Sequence, residues 1–304
     1  MDKSLLGSLA AIVGEENARP LEPLAPHTTF KIGGPVDAFV SPRSVEEVSR
    51  VVCACEQASV PWRVIGCGSD LLVSDEGVEG VVIEVRDNLS TIRVDGTRIV
   101  AGAGATNAAV AEAACAAGLS GYEFACGIPG TVGGAAIMNA GAYDGEFSQV
   151  CACVTCVTPE GRIVEVPREE AEWSYRHSMF DAAHYVVVAA TLELTLADSA
   201  DIRARMDELT AKREAKQPID MPSAGSTFKR PEGHFAAALI DQAGLKGLSI
   251  GGAQVSTKHT GFIVNADDAT SADVQALIAE VQRRVLESSG VALEPEVRMW
   301  GREA

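Results

Sequence analysis

Gly127-Ile128-Pro129-Gly130-Thr131-Val132-Gly133-Gly134-Ala135-Ala136-Ile137-Met138-Asn139-Ala140-Gly141-Ala142-Tyr143 decides how the rest of the chain is read. Five of its seventeen residues are glycine, and none is charged. A solvated loop would hold more polar side chains, and a regular helix or strand is weakened by so many glycines. Glycine lets backbone approach another group closely and reach positive φ. The stretch therefore reads as backbone wrapped against a ligand, with Thr131 and Asn139 as side-chain polar contacts. The alternative is a buried glycine-rich turn that binds nothing, because apolar glycine runs also occur where chains cross tightly.

Upstream, Val36 to Val40 reads as a short strand. Ser44 and Glu47 make a capping box for a helix whose apolar stripe is Val45, Val48, Val51, Val52 and Cys55. Trp62 to Ile65 is the next strand, which makes a β-α-β unit. Gly66-Cys67-Gly68-Ser69-Asp70-Leu71-Leu72 follows it directly. Two glycines and a serine at a strand end offer backbone N–H groups, a nest suited to phosphate oxygens. Asp70 is an awkward neighbour for a phosphate, and the alternative is that it holds the loop through backbone N–H groups. Val81 to Val85, Thr91 to Val94 and Thr97 to Ala101 read as strands, the last two joined at Asp95-Gly96. Gly102-Ala103-Gly104-Ala105-Thr106-Asn107 then opens an alanine-rich helix that closes at Gly118. The third glycine of a dinucleotide fingerprint is replaced by Asn107 and no second βα repeat follows, which argues against a Rossmann domain.

Downstream, Val150 to Val157, Arg162 to Val166 and Tyr185 to Leu196 are β-rich. Trp173-Ser174-Tyr175-Arg176-His177-Ser178-Met179-Phe180 lies between them, either a surface loop pinned by aromatics or a functional cluster. A helix from about Ala200 to Lys216 stops at Pro218. The last helix, from about Ser271, puts Val274, Leu277, Ile278, Val281 and Val285 on one stripe. Hairpins and crossovers with segregated helices argue an α+β fold.

The 304 residues suffice for two or three domains, and 47% hydrophobic with 22% charged residues is ordinary for a soluble protein. A net charge of −17 argues against nucleic-acid or anionic-membrane binding, and an anionic small ligand would need a local Lys/Arg cluster. Leu5, Leu9, Ile12 and Val13 share one helical face, which reads as an amphipathic helix rather than a signal peptide. There is no transmembrane run. Cys151 and Cys153 fall on one strand face and Cys156 on the other, which argues against a metal site. The eight cysteines read as reduced core residues, and the protein as cytoplasmic.

Seven stretches in order resemble the UDP-N-acetylenolpyruvoylglucosamine reductase family. They are Thr29-Phe30-Lys31-Ile32-Gly33-Gly34, Gly66 to Leu72, Gly127 to Tyr143, Tyr175-Arg176-His177-Ser178, Ala224-Gly225-Ser226-Thr227-Phe228-Lys229, Ile250-Gly251-Gly252-Ala253-Gln254-Val255 and Leu293-Glu294-Pro295-Glu296-Val297-Arg298. The resemblance implies an FAD-binding domain of the vanillyl-alcohol-oxidase type in two subdomains (1–60 and 61–200) and a smaller α+β substrate domain (201–304), whose tail 292–304 is expected to return to the FAD domain. It implies NADPH as co-substrate and reduction of UDP-N-acetylglucosamine enolpyruvate to UDP-N-acetylmuramate for peptidoglycan. The implied catalytic residues are Arg176 and Glu296 for the enolate and Ser226 for the proton. Glu296 would have to be protonated to donate. The implied FAD contacts are Gly66, Cys67, Gly68, Ser69, Asp70, Gly127, Pro129, Gly130, Thr131, Gly133, Gly134, Asn139 and Gly141. Tyr175, Lys216 and Lys229 are the implied substrate contacts. The family commonly has Asn where Asp70 stands. Residues 66–70 contain no histidine, so the FAD is expected to be non-covalent. Leu196 runs almost directly into the next helix, which resembles the shorter subtype without a tyrosine-bearing loop. A monomer is expected.

Overall fold

The computed structural model describes residues 3–301. They form two compact units. The first comprises residues up to 20, 38–67 and 80–213; the second comprises 21–37, 68–79 and 214 onward.

A four-stranded sheet, most of whose residues belong to the first unit, runs in the order Ala18–Pro23, Pro35–Val40, Val78–Glu84, Trp62–Ile65. The β-α-β reading of its start is correct in order but not in adjacency. Val78–Glu84 is inserted between the two expected neighbours and pairs in parallel with Trp62–Ile65. The helix Val45–Gln57 is capped by Ser44, whose hydroxyl accepts the Glu47 N–H, and buries Val48, Val51, Val52 and Cys55 as its periodicity predicts. The helix Lys3–Val13 buries Leu5, Leu9 and Val13.

A five-stranded antiparallel sheet completes this unit, in the order Ile163–Pro167, Cys151–Val157, Val186–Glu193, Arg98–Gly102, Ile92–Asp95. Strand parity fails at the cysteines. Register shifts fall between Cys151 and Cys153 and between Thr155 and Cys156, so Cys151 and Cys156 are both buried. Burial pushes the Cys55 and Cys156 thiols up to about 12, and all eight cysteines are free.

The second unit has a three-stranded antiparallel sheet, Ser249–Ile250, Ala253–Val255 and Ile263–Asn265. The helix Ser271–Ser289 buries the expected stripe Val274, Leu277, Ile278, Val281 and Val285. Thr270 and Asp273 form its capping box, Asp75 accepts the N–H groups of Ser271 and Ala272, and Gly290 at φ 72° ends it. Arg298–Trp300 pairs in parallel with Leu71–Val73. Among the described residues no helix is long and apolar enough to cross a membrane.

Candidate active site

The glycine stretch contains a helix, Val132–Met138, which composition alone argued against. Packing explains it. A Cβ on Gly133 would lie 3.0 Å from the Ala103 Cβ, so glycine here lets the helix reach the neighbouring chain. Its first turn is satisfied internally. Val132 donates to Ala105 O at 2.8 Å, Gly133 to Ala103 O at 2.9 Å, and Gly134 to the Thr131 hydroxyl at 3.4 Å. Thr131 is thus the N-cap, its hydroxyl oxygen accepting within the helix.

Just before the helix the pattern changes. Among the described residues, the N–H groups of Gly130 and Thr131 donate to no acceptor, and neither do those of Gly66 and Cys67. These two loops adjoin. A Cβ on Gly66 would lie 2.6 Å from Thr131 Oγ1. Two glycine loops singled out separately in sequence therefore meet and carry backbone donors at the junction, a donor set that fits the phosphate oxygens of FAD. The Cys67 thiol is pushed up, chiefly by burial, and stays a thiol at neutral pH. Gly68, at φ 58°, needs glycine, and a Cβ there would meet His27 O at 2.4 Å. The backbone carbonyl of Asp70 accepts the Arg298 N–H at 2.9 Å.

One consequence is testable. Gly66→Ala must displace the Thr131 hydroxyl, and with it the helix cap. Expected is about a fivefold loss of FAD affinity, since one cap is worth about 1 kcal/mol. Flavin fluorescence on dilution of the holoenzyme checks it.

The far end of the helix builds the Tyr175–Arg176 turn. Asn139 sits in the left-handed region at φ 41°, almost fully buried. Its Oδ1 accepts the Ser148 N–H at 2.9 Å, and its Nδ2 donates to Ser174 O at 3.2 Å. The side chain expected to touch a ligand thus holds the Tyr–Arg turn. Trp173 Nε1 donates to Ala136 O at 2.8 Å and Ser178 Oγ to Ile137 O at 2.7 Å, so residues on both sides of the turn satisfy the helix's last carbonyls. Ser174 and His177 exchange N–H···O bonds, each 3.2 Å. Between them Tyr175 is exposed, and Arg176 has φ 55° with its guanidinium 4.9 Å from the Tyr175 ring centroid. Arg176 Nη2 also reaches Gly141 O at 3.5 Å. Gly141–Ala142 opens a hairpin whose two turn residues, Tyr143 and Asp144, both have positive φ, the type I′ pattern.

Asn139→Ala would strand the Ser148 N–H and Ser174 O and replace a residue that tolerates the left-handed region by one that tolerates it less. A destabilisation of about 2–4 kcal/mol is expected. Denaturant titration measures it, and Asn139→Gly should recover about 1 kcal/mol by relieving the backbone.

In the second unit the Ser226 segment pairs with the Glu296 segment. Phe228 bridges Pro295 in antiparallel register, Lys229 donates to Glu294 O at 2.9 Å, and Glu296 donates to Thr227 O at 2.8 Å. The ladder puts Ser226 one step beyond the position facing Glu296. Thr227 is buried, its hydroxyl accepting the Ile263 N–H at 2.9 Å, which leaves Ser226 exposed beside a half-buried Glu296. Lys229 pairs with Glu294, and Arg230 lies 4.1 Å from the Phe235 ring centroid.

Lys216 is exposed at the end of the helix Ser199–Lys216. Lys258 Nζ donates to the Glu214 carbonyl at 2.6 Å in that last turn. His259 is held below the usual histidine range, first by burial and then by the charge of Lys216. Lys258 is a candidate addition to the cationic charge near Lys216, with no local signal in the sequence, because its place beside that helix end exists only in the folded unit.

A family model described as an FAD-binding domain matches residues 36–167, which include both glycine loops. A second, the C-terminal domain of UDP-N-acetylenolpyruvoylglucosamine reductase, matches residues 217–300, which include Ser226 and Glu296. The UDP-N-acetylenolpyruvoylglucosamine reductase of Clostridium botulinum (strain Hall) is 46% identical over 301 residues, 99% of this chain and 98% of that protein. The chain belongs to the UDP-N-acetylenolpyruvoylglucosamine reductase family. The reductase of Listeria welshimeri is 49% identical over 282 residues, covering 93% of this chain and 95% of its own. The crystal structure of the Thermus caldophilus reductase superposes with a TM-score of 0.80 at 36% identity, over 92% of this chain and 97% of that one. A likeness to the glucose dehydrogenase Phl p 4.0202 (TM-score 0.53, 16% identity, 72% of this chain and 51% of that one) concerns the fold alone. The reductase family fold is α+β, with an FAD-binding domain of the vanillyl-alcohol-oxidase type, as expected. Tyr175, Arg176 and Lys216 lie between the two matched spans.

Proposed function

We propose that this chain reduces UDP-N-acetylglucosamine enolpyruvate to UDP-N-acetylmuramate, a peptidoglycan precursor, with NADPH as reductant and non-covalent FAD. The observation that carries the reading is the end-to-end match to the reductases, in a chain whose two glycine loops meet at Gly66 and Thr131. FAD, when bound, supplies the hydride chemistry between NADPH and the enolpyruvyl double bond. The backbone donors of Gly66, Cys67, Gly130 and Thr131 would hold its phosphate oxygens, with Gly68, Ser69, Asp70, Gly127, Pro129, Gly133, Gly134 and Gly141 lining its path.

As the double bond is reduced at its terminal carbon, negative charge moves towards the substrate carboxylate. Arg176, a fork of donors, stabilises that charge. Glu296 donates a second hydrogen bond in its protonated form. Ser226 gives its proton to the other carbon. Lys216 and Lys229 supply charge for the diphosphate in a chain of net charge −17, and Tyr175 packs on the substrate. Residues 1–60 and 61–200 make the FAD-binding part, 201–304 the substrate part. Leu196 reaches the helix at Ser199 through two residues only, which favours the shorter subtype. The enzyme works as a monomer in the cytoplasm.

Anaerobic visible spectroscopy tests the reading. Flavin bands of the purified protein should bleach with NADPH and return on adding the UDP-sugar. A flavin spectrum that ignores the sugar would overturn the substrate, and a protein that cannot be loaded with FAD would overturn the whole assignment.

A further inference from the structure

Arg213 lies against the first residue of the glycine stretch. A Cβ on Gly127 would sit 3.0 Å from Arg213 Cδ and 3.9 Å from Nε and Nη1. The same helix face receives the preceding residue. Cys126 Sγ lies 3.7 Å from the Met206 carbonyl and 3.6 Å from the Thr210 hydroxyl. Residues 206, 210 and 213 are one helical stripe, so the Arg213 stem is fixed by packing on Cys126 and Gly127.

The guanidinium is half-buried, and burial pulls its pKa down against weaker opposing effects of Tyr143 and Cys126. Yet among the described residues it donates no hydrogen bond and joins no carboxylate. Its neighbours on the helix behave otherwise. Arg203 forks onto Glu112, and Arg205 and Lys212 share Glu208. A chain with 42 acidic residues against 25 basic ones has carboxylates to spare. A guanidinium carries five donors, and withdrawing them from water without an acceptor is costly.

We infer that Arg213 is an anion-binding residue whose guanidinium takes an anionic oxygen of a ligand held at the Gly127–Tyr143 stretch. The inference rests on the flavin-reductase reading. The stretch lies inside the span matched by the FAD-binding domain, so an oxygen of FAD is the first source. A phosphate or carboxylate of NADPH or of the UDP-sugar has the same chemistry. Arg213 itself lies outside both matched spans. Gly127 is then glycine because the arginine stem needs its space.

The test uses full-length holoenzyme. The wild type must first bind FAD and turn over, which separates failure of the functional reading from failure of this inference. Arg213→Met keeps the stem and removes the donors; Arg213→Lys restores a charge without the fork. The Met variant should lose at least about tenfold in affinity for one ligand, with partial recovery in the Lys variant. Faster flavin release on dilution would name FAD as the source. A raised KM with kcat kept would name NADPH or the UDP-sugar, whichever is affected. FAD release and both KM values unchanged in Arg213→Met would overturn the inference. Should that variant not fold, Gly127→Ala decides. It pushes the arginine stem aside and should weaken the same ligand, and unchanged affinities for all three would overturn the inference equally.

Discussion

Ser226→Ala is expected to leave FAD bound and NADPH oxidation intact while slowing reduction of the enolpyruvyl group at least about 10²-fold, the lower end of what one positioned proton donor contributes. The structure makes this a clean experiment. Ser226 is exposed, and among the described residues its hydroxyl has no hydrogen-bond partner. Its backbone is fixed by others. Thr227 donates to Gly261 O at 2.8 Å and accepts from Glu296. Removing the hydroxyl should therefore change stability by no more than about 0.5 kcal/mol. Any loss of rate then belongs to the chemical step. Reduced enzyme mixed anaerobically with the UDP-sugar should show slow return of the flavin bands, with the KM for the sugar little altered. Wild-type reoxidation in this variant would remove Ser226 as the proton donor.

What could be read from sequence followed from how local the cause was. The helix Ser271–Ser289 was legible because its start signal and its apolar stripe lie within its own residues. The helix Val132–Met138 was not. Glycine composition argues against it, and the contact that favours glycine, Gly133 against Ala103, joins segments far apart in sequence. Asn139 is a similar case. A polar residue in an apolar run reads as a ligand contact, whereas here its amide serves Ser148 and Ser174. The local signal for that use is the left-handed C-cap, a place where Asn is tolerated. The cysteine faces were misread because parity assumes an unbroken ladder. The pairing of Ser226 with Glu296 had no local signal at all. Only the order of motifs across the chain singled those residues out, and the Phe228–Pro295 bridge supplies the physical reason they go together.

Arg176 should be the most sensitive side chain to loss of its fork of donors. Arg176→Gln is expected to lower the rate of substrate reduction by about 10²–10³-fold, the range found when one donor to a developing charge is removed. Arg176→Lys should fall between, because it keeps the charge but cannot donate in a planar pair. Backbone effects should cancel. Arg176 already sits at φ 55°, so arginine, lysine and glutamine bear the same left-handed conformation. The turn is held by the Ser174–His177 bonds and by Asn139, none of which involves the Arg176 side chain. Besides its 3.5 Å contact with Gly141 O, the side chain loses its position over Tyr175, which is worth about 0.5–1 kcal/mol at an exposed site. That is less than a tenfold effect and cannot account for the expected loss of rate. Tyr175→Leu isolates it. If Tyr175→Leu matched Arg176→Gln in rate, the arginine would be acting through the ring rather than on the substrate. Substrate reduction by Arg176→Gln within about tenfold of wild type would take it out of the catalytic step altogether.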